Sequence, residues 1–525
     1  MVESGLYGIL NKEWKTTCRI LFGEELGELK EYEEWLKEYL PPIGKRVSHV
    51  SGKEVTLVTD YYSPNARFVS SDEITEKAIE PLTINEIKDI DSIVEAISEK
   101  WEYTGNRILG NSAYVESSDV VVDSRYVLDS VDITESAYIF GSSLVRRGSK
   151  YSFGSHFFGQ GEFLVRVGAA FNAKRVFESI LVGDSSDIYF SHNCMGCNEL
   201  LFSFFQRNKR YCIGNLQLPK EKYLSLKKKI LQEVVEELKK SKRFPSIFKL
   251  VSNEKPPAGI TIPTPKKEEN DMGPIEKAFS STFRIILNKE AYGIQNYEKW
   301  LSKYLMEIKE IRSPFGHPVF TLEGNELRFF SMLQKKRMVS FYEGLELGKR
   351  HLDEADLVSL NKIIERLPEI AFFTVELIEG EVRNVIKSPI VYHGSHAYKT
   401  YDLTYGEYSG VSSMSLNSKY TFGCYRILES QFCINCYNSL YLTRCFEVDT
   451  STKCSDSLFC HNSEALQDCA FCFNAKGKRH AIGNLQLPPE QYRKIKNMLV
   501  EQMTEEILKN KELKYDIFNI GCGKK

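Results

Sequence analysis

Eight cysteines between Cys424 and Cys472 stand at positions 424, 433, 436, 445, 454, 460, 469 and 472, which share one remainder on division by three. Chance places eight residues so roughly once in two thousand trials. The rest of that lattice runs from Val391, Gly394, Ala397, Thr400 and Leu403 to Leu466 and Ala475 and contains no charged or aromatic residue. The first half of the chain carries the same pattern in Ser152, Ser155, Leu164, Val167, Ala170, Ala173, Val176, Ser179, Val182, Ser185, Ile188, Ser191, Cys194 and Cys197. Upstream, in a shifted register, Ser112, Val115, Ser118, Val121, Ser124, Val127, Ser130, Ile133, Ser136 and Ile139 alternate serine with aliphatics. A helix repeats every 3.6 residues and a flat strand every two. A strict three requires a chain that turns a corner every few residues and points one small side chain per side at a narrow axis. That is a short-sided parallel β-solenoid. Left-handed hexapeptide helices space their inward residues by two and four and fit poorly, so coil length and hand stay open.

The chain also repeats itself, the pattern to look for first in a sequence of this length. Ile213-Gly214-Asn215-Leu216-Gln217-Leu218-Pro219 recurs as Ile482-Gly483-Asn484-Leu485-Gln486-Leu487-Pro488, 269 residues on. The same shift pairs Ser149-Lys150-Tyr151 with Ser418-Lys419-Tyr420 and His192-Asn193 with His461-Asn462, while an offset of 265 pairs Trp35-Leu36 with Trp300-Leu301. The expected organisation is a tandem duplication of an α+β module: residues 1–250, a Pro- and charge-rich linker at 251–275, and residues 276–525. Each module is a β-solenoid, at about 111–206 and 388–475, flanked by N- and C-terminal helices. Tyr32, Trp35, Leu36, Tyr39 and Leu40 share one helical face at the start; strands follow at 54–58 and 318–322, and second helices at 84–100 and 353–367. Final helices begin after Pro219 and Pro488, where proline suits the first turn; Leu226, Ile230, Val234 and Leu238 stripe the first of them.

The 525 residues hold 42% apolar and 27% charged residues, which excludes a disordered chain. Lys and Arg number 69 against 71 Asp and Glu, so general polyanion binding is disfavoured while a local basic patch is not. No apolar run reaches about 18 residues, and no basic start precedes an apolar stretch, so neither a membrane span nor a signal peptide is expected. Thirteen cysteines, an odd number, then read as reduced thiols in the cytoplasm.

Three C-x-x-C pairs, Cys194/Cys197, Cys433/Cys436 and Cys469/Cys472, with His192 and His461 beside the lattice, form the zinc alternative, because two thiolates at that spacing reach one tetrahedral ion. The lattice already explains the spacing, and Leu164, Val167, Leu200 and Ser203 stand 269 residues before four of those cysteines. A ligand replaced by leucine reads better as a core filler, so no metal or cofactor is favoured. His393 and His396 form an isolated H-x-x-H. Aromatics that follow lattice residues, including Tyr392, Tyr398, Tyr401, Phe422, Tyr425, Tyr437, Phe446 and Phe473, either pack under the helices or form a binding ladder. The solenoid exits hold Arg207, Lys209, Arg210 and Tyr211, and Lys476, Lys478 and Arg479, as a cap against edge pairing or as a nucleic-acid grip. No P-loop, H-E-x-x-H, G-x-S-x-G or dinucleotide-binding signature occurs.

The exit Arg207-Asn208-Lys209-Arg210-Tyr211-Cys212-Ile213 with Asn215, the helix start Lys220-Glu221-Lys222-Tyr223, and the stretches Ser51-Gly52-Lys53-Glu54-Val55 and Tyr62-Ser63-Pro64-Asn65 resemble uncharacterised cysteine-rich repeat proteins of candidate-phyla (patescibacterial) bacteria. The likeness covers most of the first module and the last third of the second. It implies a Cys-studded β-solenoid, often with an N-terminal zinc ribbon; here Ser48 stands where a ribbon cysteine would be expected. The family brings no activity with it.

The expected function is a non-enzymatic scaffold whose solenoid faces serve protein–protein assembly or self-association. Nucleic-acid binding through Arg207, Lys209, Arg210, Lys478 and Arg479 is the alternative, and a solenoid acyltransferase with His192 or His461 as base is a second one. The candidate binding surface comprises the two exits together with Tyr425, Tyr437 and Phe446.

Overall fold

The computed structural model of the chain describes residues 5–75, 80–156, 159–251, 256–257, 259–263 and 270–522. The architecture is mixed α+β, with ten α-helices among the described residues and long curled parallel sheets. No helix among them is long and apolar enough to cross a membrane.

Residues with positive φ recur every third position: Tyr114, Ser117, Val120, Asp123, Tyr126, Asp129, Asp132, Glu135 and Tyr138 begin a series that resumes in Asn384, Lys387, His393 and His396. Left-handed backbone costs a non-glycine residue about 1–2 kcal/mol. It persists because each turned triplet is hydrogen-bonded to the next layer. Ala113 pairs in parallel with Arg125, Arg125 with Ala137, Lys150 with Glu162, Glu162 with Lys174, Lys174 with Ser186 and Ser186 with Asn198, a constant step of twelve. The step from Ala137 to Lys150 is thirteen. The extra residue falls between Val145 and Ser149, around Arg147 and Gly148, both at positive φ, and it accounts for the shifted register upstream in the sequence. In the second half Arg383, Ser395, Glu407, Lys419, Gln431 and Thr443 follow one another at twelve without interruption.

The lattice side chains fill the interior. Val121, Val127, Ile133, Ile139, Leu164, Val176, Val182 and Cys194 form one buried cluster, and Cys424, Cys433, Cys436, Cys445, Cys454, Cys460, Cys469 and Cys472 line the other. Interleaved serines close their own hydrogen bonds. Ser130 Oγ donates to Leu128 O at 2.8 Å and accepts from Ser142 N–H at 3.1 Å, and Ser124 does the same with Val122 O and Ser136 N–H. A small hydroxyl fits here because buried polar groups need partners and the axis has room for little else.

The chain divides into two compact units. The first comprises Met1–Ile43, Arg107–Lys266 and Lys309–Leu377. Its helix Gly5–Phe22 buries Leu6, Leu10, Trp14, Cys18 and Leu21, and Trp14 meets Phe153 at 5.5 Å. Helix Lys220–Ser241 buries Ile230, Val234 and Leu238, and the unit also holds the strand Glu307–Arg312 from Lys309 onward, the strand Pro318–Glu323 and the short helix Leu360–Arg366. The second unit comprises Gly44–Asn106, Lys267–Ile308 and Ile378–Lys525. Its helix Gly273–Leu287 sets Phe279 against Phe422 at 5.2 Å, helix Pro489–Asn510 closes the far end, and Gly44–Asn106 adds the hairpin Gly44–Val47/Glu54–Leu57 and helix Ile90–Lys100.

These units differ from a cut of the chain at 251–275. Segments 44–106 and 309–377 each belong to the unit built mostly from the opposite half. Residues 252–255, 258 and 264–269 of the expected linker lie outside the described residues. The opening segment also differs from expectation. Leu29–Tyr39 is a succession of short turns, buried because Tyr32, Trp35 and Tyr39 are large, and the true opening helix is Gly5–Phe22. The helices expected at 84–100 and 353–367 begin as single turns at Ile84–Glu86 and Glu354–Asp356 and become regular only at Ile90 and Leu360.

Candidate functional site

The cysteines sit where serines sit and do the same work. Cys194 Sγ donates to His192 O at 3.5 Å, Cys197 Sγ to Met195 O at 3.2 Å and Cys436 Sγ to Ile434 O at 3.5 Å. Cys424 Sγ accepts from Cys436 N–H, and Cys197 Sγ from Lys209 N–H, both at 3.5 Å. Every cysteine is free of disulfide bonds, and all but Cys522 are buried. Burial pushes the thiols of Cys212 and Cys454 up to about 12 and raises those of Cys194, Cys197 and Cys469, with Cys472 the first cause at Cys469. Protonated thiols bonded to their own backbone are poor ligands and poor nucleophiles. Among the described residues no three His, Cys, Asp or Glu side chains converge on a position that could hold a metal ion.

His192 and His461 are fully buried, and each fastens a distant backbone segment. His192 Nε2 accepts from Thr374 N–H at 3.0 Å, and burial lowers its pKa to about 3. His461 Nε2 accepts from Thr104 N–H at 3.1 Å while Nδ1 faces Asp449 Oδ2 at 2.9 Å. In both rings Nε2 is thus engaged by a backbone amide. His393 and His396 go separate ways. His393 Nδ1 accepts from Glu381 N–H at 3.1 Å, and His396 Nδ1 meets Asn384 Nδ2 at 3.0 Å.

Tyr425, Tyr437 and Phe446, expected on a binding face, are 1%, 1% and 0% exposed. They pack inward: Tyr437 meets Tyr304 at 5.7 Å and Phe446 meets Trp300 at 6.1 Å, so the flanking elements claim them. A different column reaches solvent, Tyr114 exposed and the rest half-buried. Tyr114, Tyr126, Tyr138, Tyr151 and Phe163 stack with centroids 4.7–5.0 Å apart and interplanar angles of 0–12°. His396, Tyr408, Tyr420 and Phe432 stack likewise in the second unit. These residues precede the lattice position and recur at twelve or thirteen. That spacing is legible in the sequence, but it shows only when residues before the lattice are counted with those after it. Inside the ladder each ring face is covered by its neighbour, so the edges and hydroxyls are what solvent meets.

Beside the first ladder, one strand position earlier, runs Ala113, Arg125, Ala137, Lys150, Glu162, Lys174, Ser186, Asn198 and Arg210, joined by the parallel registers. Arg125, Lys150, Lys174 and Arg210 are exposed. The column thus carries four cations and one carboxylate, Glu162. The exits are more engaged than expected. Arg207 donates to Asn193 O at 2.6 Å and Asn193 Oδ1 at 2.7 Å, and its guanidinium lies 5.4 Å from the Phe341 ring. Tyr211 packs on Tyr223, Lys476 pairs with Glu464 at 3.4 Å, and Arg479 bonds Gln467. Lys209 is exposed and Lys478 half-buried. Comparison with protein-family models, with curated proteins and with solved structures returned no match.

Proposed function

We propose that the protein is a cytoplasmic, non-enzymatic scaffold: two parallel β-solenoids of twelve-residue coils, produced by tandem duplication, that present a regular face to a protein partner. The observation that carries this reading is the column Arg125, Lys150, Lys174 and Arg210 beside the stacked tyrosine edges. Parallel strands fix neighbouring positions about 4.8 Å apart, so Arg125, Lys150 and Lys174, two coils apart, stand roughly 10 Å from one another and Arg210, three coils further, roughly 14 Å beyond, a spaced row of cations that suits an acidic, extended protein segment. Twelve-residue registers, left-handed corners and interior serines that satisfy their own layer support the solenoid; the 269-residue correspondence of motifs supports the duplication. Interior thiols that donate to their own backbone support a structural interior and an outer face where function resides, and a reducing compartment suits buried cysteines free of disulfide bonds.

The test is in-cell crosslinking of the full chain, compared with a variant carrying Arg125→Glu, Lys150→Glu, Lys174→Glu and Arg210→Glu and checked for an unchanged circular dichroism spectrum. The scaffold reading expects protein crosslinks that land on the column and vanish in the variant. Crosslinks unaffected by charge reversal overturn it. So does an oligonucleotide mobility shift with a steep salt slope that disappears when Arg207, Lys209, Arg210, Lys478 and Arg479 are changed, because such a slope counts phosphate contacts.

A further inference from the structure

The chain passes from one compact unit to the other five times, at 43/44, 106/107, 266/267, 308/309 and 377/378. Segment 44–106, from the first half, belongs to the unit of the second-half curled sheet, and segment 309–377, from the second half, belongs to the unit of the first-half sheet. The docking contacts come in matched sets. Within the second unit, Thr104 N–H donates to His461 Nε2 at 3.1 Å, Leu82 N–H donates to Gly483 O at 2.8 Å, and Tyr103 meets His461 at 5.1 Å and Phe473 at 5.6 Å. Within the first unit, Thr374 N–H donates to His192 Nε2 at 3.0 Å, Leu352 N–H donates to Gly214 O at 2.9 Å, and Phe373 meets His192 at 5.4 Å and Phe204 at 5.9 Å. Every one of these contacts joins residues on opposite sides of the 251–275 connection.

We infer that residues 44–106 and 309–377 are reciprocal docking elements, each the specific occupant of a face on the curled sheet of the other half, so that the two half-chains form an interlocked pair whose association does not depend on the peptide linking them. The faces are shaped for these occupants. Gly214 and Gly483 lie at φ +58° and +57°, and a Cβ there would stand 2.8 Å from Leu352 Cδ1 and 2.5 Å from Leu82 Cδ1. The buried aromatics and buried amide–imidazole bonds give each contact a dry centre, the anatomy of a stable interface. The sequence of synthesis follows from it: the face that receives segment 44–106 is made last, so the first half cannot finish folding until the second has emerged. The inference rests on the segment composition of the units and the contacts inside them, and stands or falls apart from the scaffold reading.

The decisive experiment places a site-specific protease sequence between Pro263 and Asn270 of the full chain, cleaves the folded protein, and measures its mass by size-exclusion chromatography with light scattering after dilution to nanomolar concentration. The halves are expected to co-elute at the intact mass and to part only in denaturant. Separation in native buffer overturns the inference. A second arm carries Leu82→Asp and Leu352→Asp, both surrounded by the opposing glycine turn. The cleaved double variant is expected to separate into halves, and its co-elution at the intact mass overturns the assignment of these contacts. If the double variant fails to fold, the cleaved wild-type chain still decides.

Discussion

Glu447 accepts a hydrogen bond from Asn435 Nδ2 at 2.9 Å, whereas Glu178, the residue 269 places earlier, is paired with Arg166 Nε at 2.6 Å. Both carboxyls are fully buried and both accept a backbone N–H, from Ile517 at 3.0 Å and Ile247 at 3.1 Å. One therefore has a cation and the other an amide. Burial, and then the charge of Asp516, raises the pKa of Glu447 well above the usual carboxylate range, against the pull of its two hydrogen bonds and of Lys303. Such a group binds its proton more tightly folded than unfolded. Its contribution is complete below the unfolded value, about 4.3, and is lost as pH rises through the raised value. Glu447→Gln is expected to cost less than about 1 kcal/mol near neutral pH, because Asn435 can turn its amide to meet the new donor, and to flatten that slope. Glu178→Gln removes the fully buried counter-charge of Arg166, leaving the part-exposed Glu38 at 3.2 Å to face it, and is expected to cost about 3 kcal/mol. Chemical denaturation of both variants across pH 5–9 checks the pair; equal costs would sink the account.

The lattice made most of the sheet legible. One inward position in three must be small, and Ser130, Val121 and Cys436 are all buried where the spacing put them. The step of thirteen at Ala137–Lys150 was legible too, as a change of register. The exchange of segments was not. Periodicity reports the local geometry of a chain and carries no address for its docking site, and Thr104 lies 357 residues from His461. The aromatic face was misplaced for a related reason. Residues after the lattice position and residues before it are about equally aromatic, and only the flanking segments that cover Tyr437 and Phe446 decide which column meets water.

The serine ladder sets a second expectation. Ser130 bonds both Leu128 O and Ser142 N–H, so Ser130→Val leaves a buried amide without a partner while filling the volume. A cost of about 1–3 kcal/mol is expected. Ser130→Cys keeps a donor and an acceptor and is expected to cost less than half as much, since Cys436 N–H already uses Cys424 Sγ this way. Urea unfolding of the two variants ranks them. A valine variant as stable as the cysteine one would show that the interior tolerates unmet amides.

Thiol reactivity gives a third. Twelve cysteines are buried, and the pKa of Cys212 and Cys454 is pushed up to about 12 by burial, whereas Cys522 is only partly covered. Ellman's reagent on the native protein is expected to modify Cys522 alone, with the others appearing together in denaturant, because the thiolate is the reactive form. Tryptic mapping of the labelled chain checks it. Early labelling of Cys433 or Cys436 would mean that the second sheet opens in its native state.

Acid should loosen the first unit through His192. Its imidazole is buried, accepts the Thr374 amide, and titrates at about 3 as a result of burial, with Arg207 also disfavouring the charged form. Unfolded histidine takes its proton near 6.5. Between these values the unfolded chain binds the extra proton, so the stability His192 contributes is whole above about 6.5 and declines as pH falls towards 3. His192→Gln keeps an acceptor for Thr374 N–H and removes the titration. It is expected to be about 1–2 kcal/mol less stable at pH 7.5, through imperfect geometry, and to lose less than the wild type when both are taken to pH 5. His461 also faces Asp449, so His461→Gln should behave differently: it removes one of several partners of a buried carboxylate that keeps Asn438 Nδ2 at 3.1 Å and Tyr62 Oη at 3.2 Å, and so costs stability at pH 7.5 more than His192→Gln does. Thermal unfolding at the two pH values separates these outcomes, and parallel acid curves for wild type and His192→Gln would show that the imidazole is not what acid attacks.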